Sequence, residues 1–226
     1  MKINEIFHSL QGEGFLAGTP SVFIRLSGCP LRCRWCDTKF ARSMDSGTEY
    51  SIEKIVEEVE KWQCRSVIIS GGEPMVNPGL LQLVTRLKIN NKHITIETAG
   101  IGFIPDLPCD LMSISPKLSN SIPSQPYLAE IHKKLMLNIP ALRQLIENYE
   151  YQLKFVVDSV DDLPEVRQTI EKIGNVDTKK VLLMLQAATR DKYLLKLPMA
   201  EQMCKQAGFA FSPRLQVLLW NNKRGT

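Results

Sequence analysis

SGCPLRCRWCDTKF, residues 27–40, carries three of the chain's six cysteines, Cys29, Cys33 and Cys36, in the spacing C-x3-C-x2-C. Cys33 and Cys36 stand too close along the chain for an easy disulfide. The loop opens with GCP directly after an apolar run, a setting suited to a metal site. A structural zinc site uses four protein ligands, yet no second C-x2-C exists and Cys64, Cys109 and Cys204 are isolated. Three buried cysteines without a ligand role are the other alternative, and the polarity and tight spacing of the loop argue against it. Thiolates also suit iron–sulfur clusters. Three of them around four irons leave one iron without a protein ligand, a liability in electron transfer and an asset in catalysis.

Outward from this loop, short β-rich apolar runs alternate with helical patterns. The runs are SVFIRLS (21–27), SVIIS (66–70), HITIET (93–98), LMSIS (111–115), QLKFVV (152–157) and KVLLMLQ (180–186). Between the first two, Ile52, Ile55, Val56, Val59 and Trp62 follow helical spacing behind Ser51, an N-cap type. Asn77 and Pro78 read as N-cap and N1 of a second helix running through Lys88. Further helices are expected from near Pro140, from near Asp162, and over 198–207 with Gly208 as the stop. Nearly unbroken apolar strands separated by helices predict a parallel sheet covered on its outer face. Six strands cannot close an eight-stranded barrel. The expected fold class is therefore α/β, an incomplete, partial parallel β/α barrel of about six strands, in one domain spanning 1–226. Residues 115–140, beginning SPKLSNSIPSQPY, break the rhythm and read as a long loop, functional or mobile.

Composition narrows the setting. Apolar residues make up 44% and charged residues 23%, the balance of a globular protein. A net charge of +4 is too mild to argue for nucleic acid and suits an anionic small molecule equally well. The N-terminal MKINEIFHSLQGEG lacks a signal-peptide layout, and no apolar run reaches membrane-spanning length. A cytoplasmic location is expected, which argues against a disulfide framework for the six cysteines and favours metal or redox work.

The cysteine spacing, with Trp35 just before the last cysteine, resembles the signature of the radical S-adenosylmethionine (SAM) enzymes. The resemblance implies a [4Fe-4S] cluster on Cys29, Cys33 and Cys36 whose open iron chelates SAM. GGEP, residues 71–74, ends the SVIIS run 35 residues after Cys36 and matches the motif by which that family binds the amino group of SAM. Alone it would read as an ordinary strand-to-helix turn. Within the superfamily, Gln11–Gly14 (QGEG), Arg25, Cys36-Asp37-Thr38, ETAG (97–100), SPK (115–117), LKFVV (153–157) and LMLQA (183–187) resemble the 7-carboxy-7-deazaguanine synthase family. That likeness implies ring contraction of 6-carboxy-5,6,7,8-tetrahydropterin with loss of ammonia. It also implies an external electron donor of flavodoxin or ferredoxin type, a homodimer, and no nucleic-acid or membrane partner.

The site residues follow from residue chemistry and from the resemblance together. Arg25 sits in an apolar strand, sharing a face with Phe23, opposite Val22, Ile24 and Leu26. A buried guanidinium needs an anion, and a substrate carboxylate fits its planar fork. The structural alternative is an ion pair with Glu13, Asp37 or Glu97. Gln11, Gly12, Glu13 and Ser70 join Arg25 as expected substrate contacts, with Gln11 and Glu13 reading a pterin's amide and amino edge. Trp35, Gly71, Gly72, Glu73, Glu97, Ser115, Lys117 and Gln186 are expected around the cluster and SAM. Lys154 is a further candidate at that edge, and either lysine could instead be a solvated strand end. The resemblance also implies a Mg²⁺ ion on Thr38, which would keep waters and borrow substrate ligands. Gln216 stands where relatives often carry a histidine, so substrate contacts beyond about residue 210 stay open. A glycyl-radical-enzyme activase shares the cysteine loop but has no use for QGEG or Arg25. A zinc or iron–sulfur scaffold explains the cysteines but not GGEP.

Overall fold

Each of the six apolar runs becomes a parallel strand, and a computed structural model describing residues 1–226 extends the sheet at both edges. The strands are β1 (Lys2–Leu10), β2 (Pro20–Leu26), β3 (Thr48–Glu49), β4 (Ser66–Gly71), β5 (His93–Thr98), β6 (Leu111–Ile114), β7 (Tyr151–Val157), β8 (Val181–Leu185) and β9 (Ala210–Ser212). They lie in the order β3-β1-β2-β4-β5-β6-β7-β8-β9. All neighbours from β2 to β9 pair in parallel. β1 pairs antiparallel with both β2 and β3. The sheet stays open, an α/β partial barrel. β1 and β3 were not expected, because KINEIFHSL carries neither a continuous apolar run nor a clean alternation. β9 is three residues long, too short to signal itself.

The helices are α1 (Ile52–Glu60), α2 (Leu80–Ile89), α3 (Pro126–Leu135), α4 (Ile139–Asn148), α5 (Leu163–Ile173), α6 (Arg190–Ala207) and α7 (Leu215–Trp220). Ser51 caps α1 by accepting from the Lys54 amide at 3.1 Å, as expected. Gly208 ends α6 in the left-handed region at φ 72°, its amide bonded to Cys204 O. Three boundaries need correction. Asn77 caps a tight turn, accepting from Gly79 N, so α2 starts two residues late. α6 begins at Arg190 behind a Thr189 cap and runs through Pro198, which a sequence reading takes as a start. Residues 115–140 are not one loop: they contain α3, whose mixed polar face hides its period.

The core lies between the sheet and the helices. In β2, Val22, Ile24 and Leu26 are fully buried on the helix side, joined by Ile55 and Val59 of α1 and Leu80, Leu83 and Leu87 of α2. Phe23 and Arg25 point the other way, into the hollow of the sheet. No helix is long and apolar enough to cross a membrane.

Candidate active site

Parallel strands bring their carboxyl ends to one rim, and the loops leaving that rim hold the chemistry. A cavity of about 300 Å³ opens there. Gln11, Gly12, Glu13, Arg25, Cys29, Cys33, Trp35, Cys36, Thr38, Ser70, Gly71, Gly72, Glu73, Glu97, Ser115, Lys117 and Lys154 all line it. Gln186 does not. Its amide continues the strand ladder to Val157 O and its carbonyl accepts from Lys196 Nζ at 2.9 Å.

The GGEP turn is locked against the start of the cysteine loop. Gly71 has φ +117°, and a side chain on Gly72 would place its Cβ 1.9 Å from Gly28 O. Only glycine permits that approach. Gly72 N donates to Leu26 O at 2.9 Å and Glu73 N to Gly28 O at 2.7 Å. The Glu73 carboxylate is buried and turned inward, accepting from Ala99 N (2.7 Å), Thr98 Oγ1 (2.5 Å) and Met75 N (3.1 Å). Burial raises its pKa, opposed by those bonds. Glu73 therefore ties the ends of β4 and β5 together and leaves the backbone of the turn facing the cavity.

Cys29, Cys33 and Cys36 are free thiols on one wall, backed by Leu31, Ala99, Ile101 and Met136. Burial pushes the Cys29 thiol up to about 12 and raises Cys33, where the charges of Lys117 and Arg42 pull the other way. Protonated thiols are what an apolar wall dictates without a metal; coordination deprotonates them outright. No three His, Cys, Asp or Glu side chains converge on a single ion. A soft donor set in an apolar shell, with one loop supplying all three sulfurs, fits a four-iron cluster. The loop is braced from outside: Arg34 N donates to Ser121 O (2.9 Å), Trp35 Nε1 to Asn120 O (3.1 Å), and Arg42 to Cys33 O. Lys117 donates to Ser115 Oγ at 2.9 Å and sits over the Trp35 ring.

At the cavity floor the charges are paired. Lys154 lies mid-strand in β7 and is 3% exposed, neither at a strand end nor solvated. Its Nζ is 2.8 Å from Glu13 and 3.8 Å from Glu97. Gln11 Nε2 donates to Glu97 at 3.1 Å and Gln216 Nε2 to Glu13 at 2.7 Å. Burial works against the Glu13 charge, but Lys154 and Arg214 outweigh it and lower the pKa to about 2. Arg214, 4% exposed, stands 3.5 Å from Glu13 and also binds Asp37 of the cysteine loop. It gave no sequence signal, because its partners lie some two hundred residues away on the chain.

Arg25 pairs with none of the three acids expected of it. Its Nε donates to Glu5 at 2.6 Å, an acid on the neighbouring β1 that the missed strand concealed. Glu5 also accepts from Arg224 at 2.8 Å, and the Arg25 guanidinium lies over Phe7. Arg25 Nη1 and Nη2 make no hydrogen bond to the protein. The free edge of the fork is available to an anion in the cavity.

Comparison with known proteins agrees with this geometry. Residues 23–151 match the radical SAM superfamily. The chain is 41% identical to the 7-carboxy-7-deazaguanine synthase of Rhodopirellula baltica, covering 99% of this chain and 88% of that protein. It is 36% identical to the enzyme of that name from Halobacterium salinarum, over 98% and 91% of the two chains. A crystal structure of QueE from Escherichia coli superposes with a TM-score of 0.70 at 26% identity, covering 93% of this chain and 92% of that one. A braced three-cysteine loop, a glycine-locked GGEP turn and these relatives lead to one conclusion: the chain belongs to the radical SAM superfamily and, within it, to the 7-carboxy-7-deazaguanine synthase family.

Proposed function

We propose that the chain, acting as a single domain, contracts the ring of 6-carboxy-5,6,7,8-tetrahydropterin to 7-carboxy-7-deazaguanine with loss of ammonia. The observation that carries this reading is the polarity of one cavity. The unsatisfied edge of Arg25 offers a cationic fork for a carboxylate, while Glu13, Gln11 and Gln216 gather acceptors and amides for a pterin's amino and amide edge. In this reading Cys29, Cys33 and Cys36 hold the cluster. The backbone of Gly71–Gly72, with Glu97, Ser115 and Lys117, holds SAM. Bound together, cluster and SAM supply a 5′-deoxyadenosyl radical. Lys154 keeps Glu13 ionised beneath the substrate, and Leu31, Phe7 and Phe23 exclude water from the apolar side. A flavodoxin- or ferredoxin-type donor, a homodimeric state and a cytoplasmic setting complete the proposal.

Turnover of the carboxytetrahydropterin by reduced, reconstituted protein tests the reading directly, and its absence with intact SAM cleavage would discard the substrate. Arg25→Ala should cripple kcat/KM, since losing a buried charge-assisted pair costs about 2–5 kcal/mol, while cluster content and SAM binding hold at wild-type levels. Loss of the cluster as well would make Arg25 a structural partner of Glu5.

In the same reading Thr38 joins a hard cation. Its hydroxyl lies in the cavity wall, 3.8 Å from Cys36 Sγ and 3.3 Å from Gly71 O. Mg²⁺ there would hold the substrate carboxylate and stabilise charge in the rearrangement. Activity measured against Mg²⁺ concentration is expected to shift to higher concentration in Thr38→Ala with the cluster undisturbed. Identical curves would remove the threonine from the site.

A further inference from the structure

His132, on α3, is completely buried, and none of the roles above uses it. Its Nδ1 accepts from the backbone N–H of Arg32 at 3.1 Å, between Cys29 and Cys33. That bond leaves Nδ1 without a proton and puts the proton on Nε2. Nε2 lies 2.9 Å from Ser121 Oγ, whose own hydrogen goes to Leu118 O at 2.6 Å. The ring is thus a neutral imidazole of one tautomer, spanning the cysteine loop and the segment that braces it.

Arg32 N and Arg34 N point outward, to His132 Nδ1 and Ser121 O. The amides of Leu31 and Cys33, on either side of Arg32, act on the thiols of Cys29 and Cys33 and favour their ionised forms. Holding the outward pair fixes the peptide planes on both sides of Cys33 and with them the neighbouring amides that act on the sulfurs. Amide hydrogen bonds to cluster sulfurs are among the groups that set a cluster's potential and retention. We infer that His132 is a positioning residue which, with Ser121, fixes the amide orientation of the cysteine loop and through it the retention and reduction potential of the bound cluster. The inference rests on the reading of the three cysteines as cluster ligands.

The test compares wild type, His132→Asn, His132→Gln and His132→Leu as anaerobically reconstituted holoenzyme. Three quantities are read: iron loss to excess chelator, the midpoint potential from an EPR-monitored titration, and the melting temperature of each apo-protein. In His132→Asn, Oδ1 stands in for Nδ1, and iron loss should stay within about twofold of wild type with an unchanged potential. His132→Gln reproduces only the Nε2 end and His132→Leu neither, so both should lose iron roughly tenfold faster or more, with a displaced potential. Gln matching Asn in both readouts overturns the proposal, as does a folded Leu variant with wild-type retention. Cluster behaviour that merely tracks melting temperature across the three also overturns it, reducing His132 to core packing. A wild type that binds no cluster at all overturns the functional reading instead.

Discussion

Cys33→Ala, reconstituted anaerobically, should retain no four-iron cluster and cleave no SAM above background. In the proposed assignment three sulfurs from one loop hold three irons, and none of the other cysteines is placed to substitute. Cys64 is buried near the opposite rim, its thiol donating to Pro20 O at 3.1 Å at the start of β2. Cys109 precedes β6 and Cys204 sits on α6. Cys64→Ala is therefore the matched control and should load a full cluster. The apo-fold should survive in both variants. In Cys33→Ala the loss of the sulfur removes one heavy atom from the small apolar group around Leu31 and Ala99, a cost of about 1 kcal/mol. Iron and sulfide analysis with product chromatography decides it. Full cluster and SAM cleavage in Cys33→Ala would end the assignment.

Lys154→Met should destabilise the protein by about 3–5 kcal/mol, because removing one partner of a buried pair strands the other charge. The stranded group is Glu13, with Glu97 beside it, and Arg214 at 3.5 Å offsets part of the loss. The pH dependence has a definite sign. The folded Glu13 pKa is depressed to about 2, so its stabilising contribution is present above the unfolded carboxyl value and is lost as pH falls toward 2. In Lys154→Met that acid-side loss should begin at higher pH. The double variant Lys154→Met/Glu13→Gln removes the orphan charge and should recover most of the stability without recovering substrate binding. Urea melts at pH 7 and pH 4 give the comparison. Equal stability of Lys154→Met and wild type would show that the pair does not hold the floor, and a double variant no better than the single would place the loss in packing.

How far the sequence reaches depends on the length scale of each interaction. The cysteine loop, the GGEP turn, the Ser51 cap, the Gly208 stop and the six apolar parallel strands are local. Each is decided by neighbours within a few residues, so spacing and periodicity expose it. With the resemblance they named the fold class and nearly all of the cavity lining, the three proposed cluster ligands among it. The partners of the charges were not local. Arg25 meets Glu5 because an unexpected strand pairs antiparallel with β2. Lys154 meets Glu13, and Arg214 ties Glu13 to Asp37, across 141 and 177 positions of chain. His132 reaches Arg32 from a helix lying in what read as a loop. Long-range electrostatic pairing leaves no period in a sequence, since a charge is indifferent to where along the chain its partner lies. Local pattern was enough for the six central strands, the cysteine loop and its glycine-locked neighbour, whereas the pairing of the buried charges, and the edge of Arg25 left open to the cavity, emerged only from the folded chain.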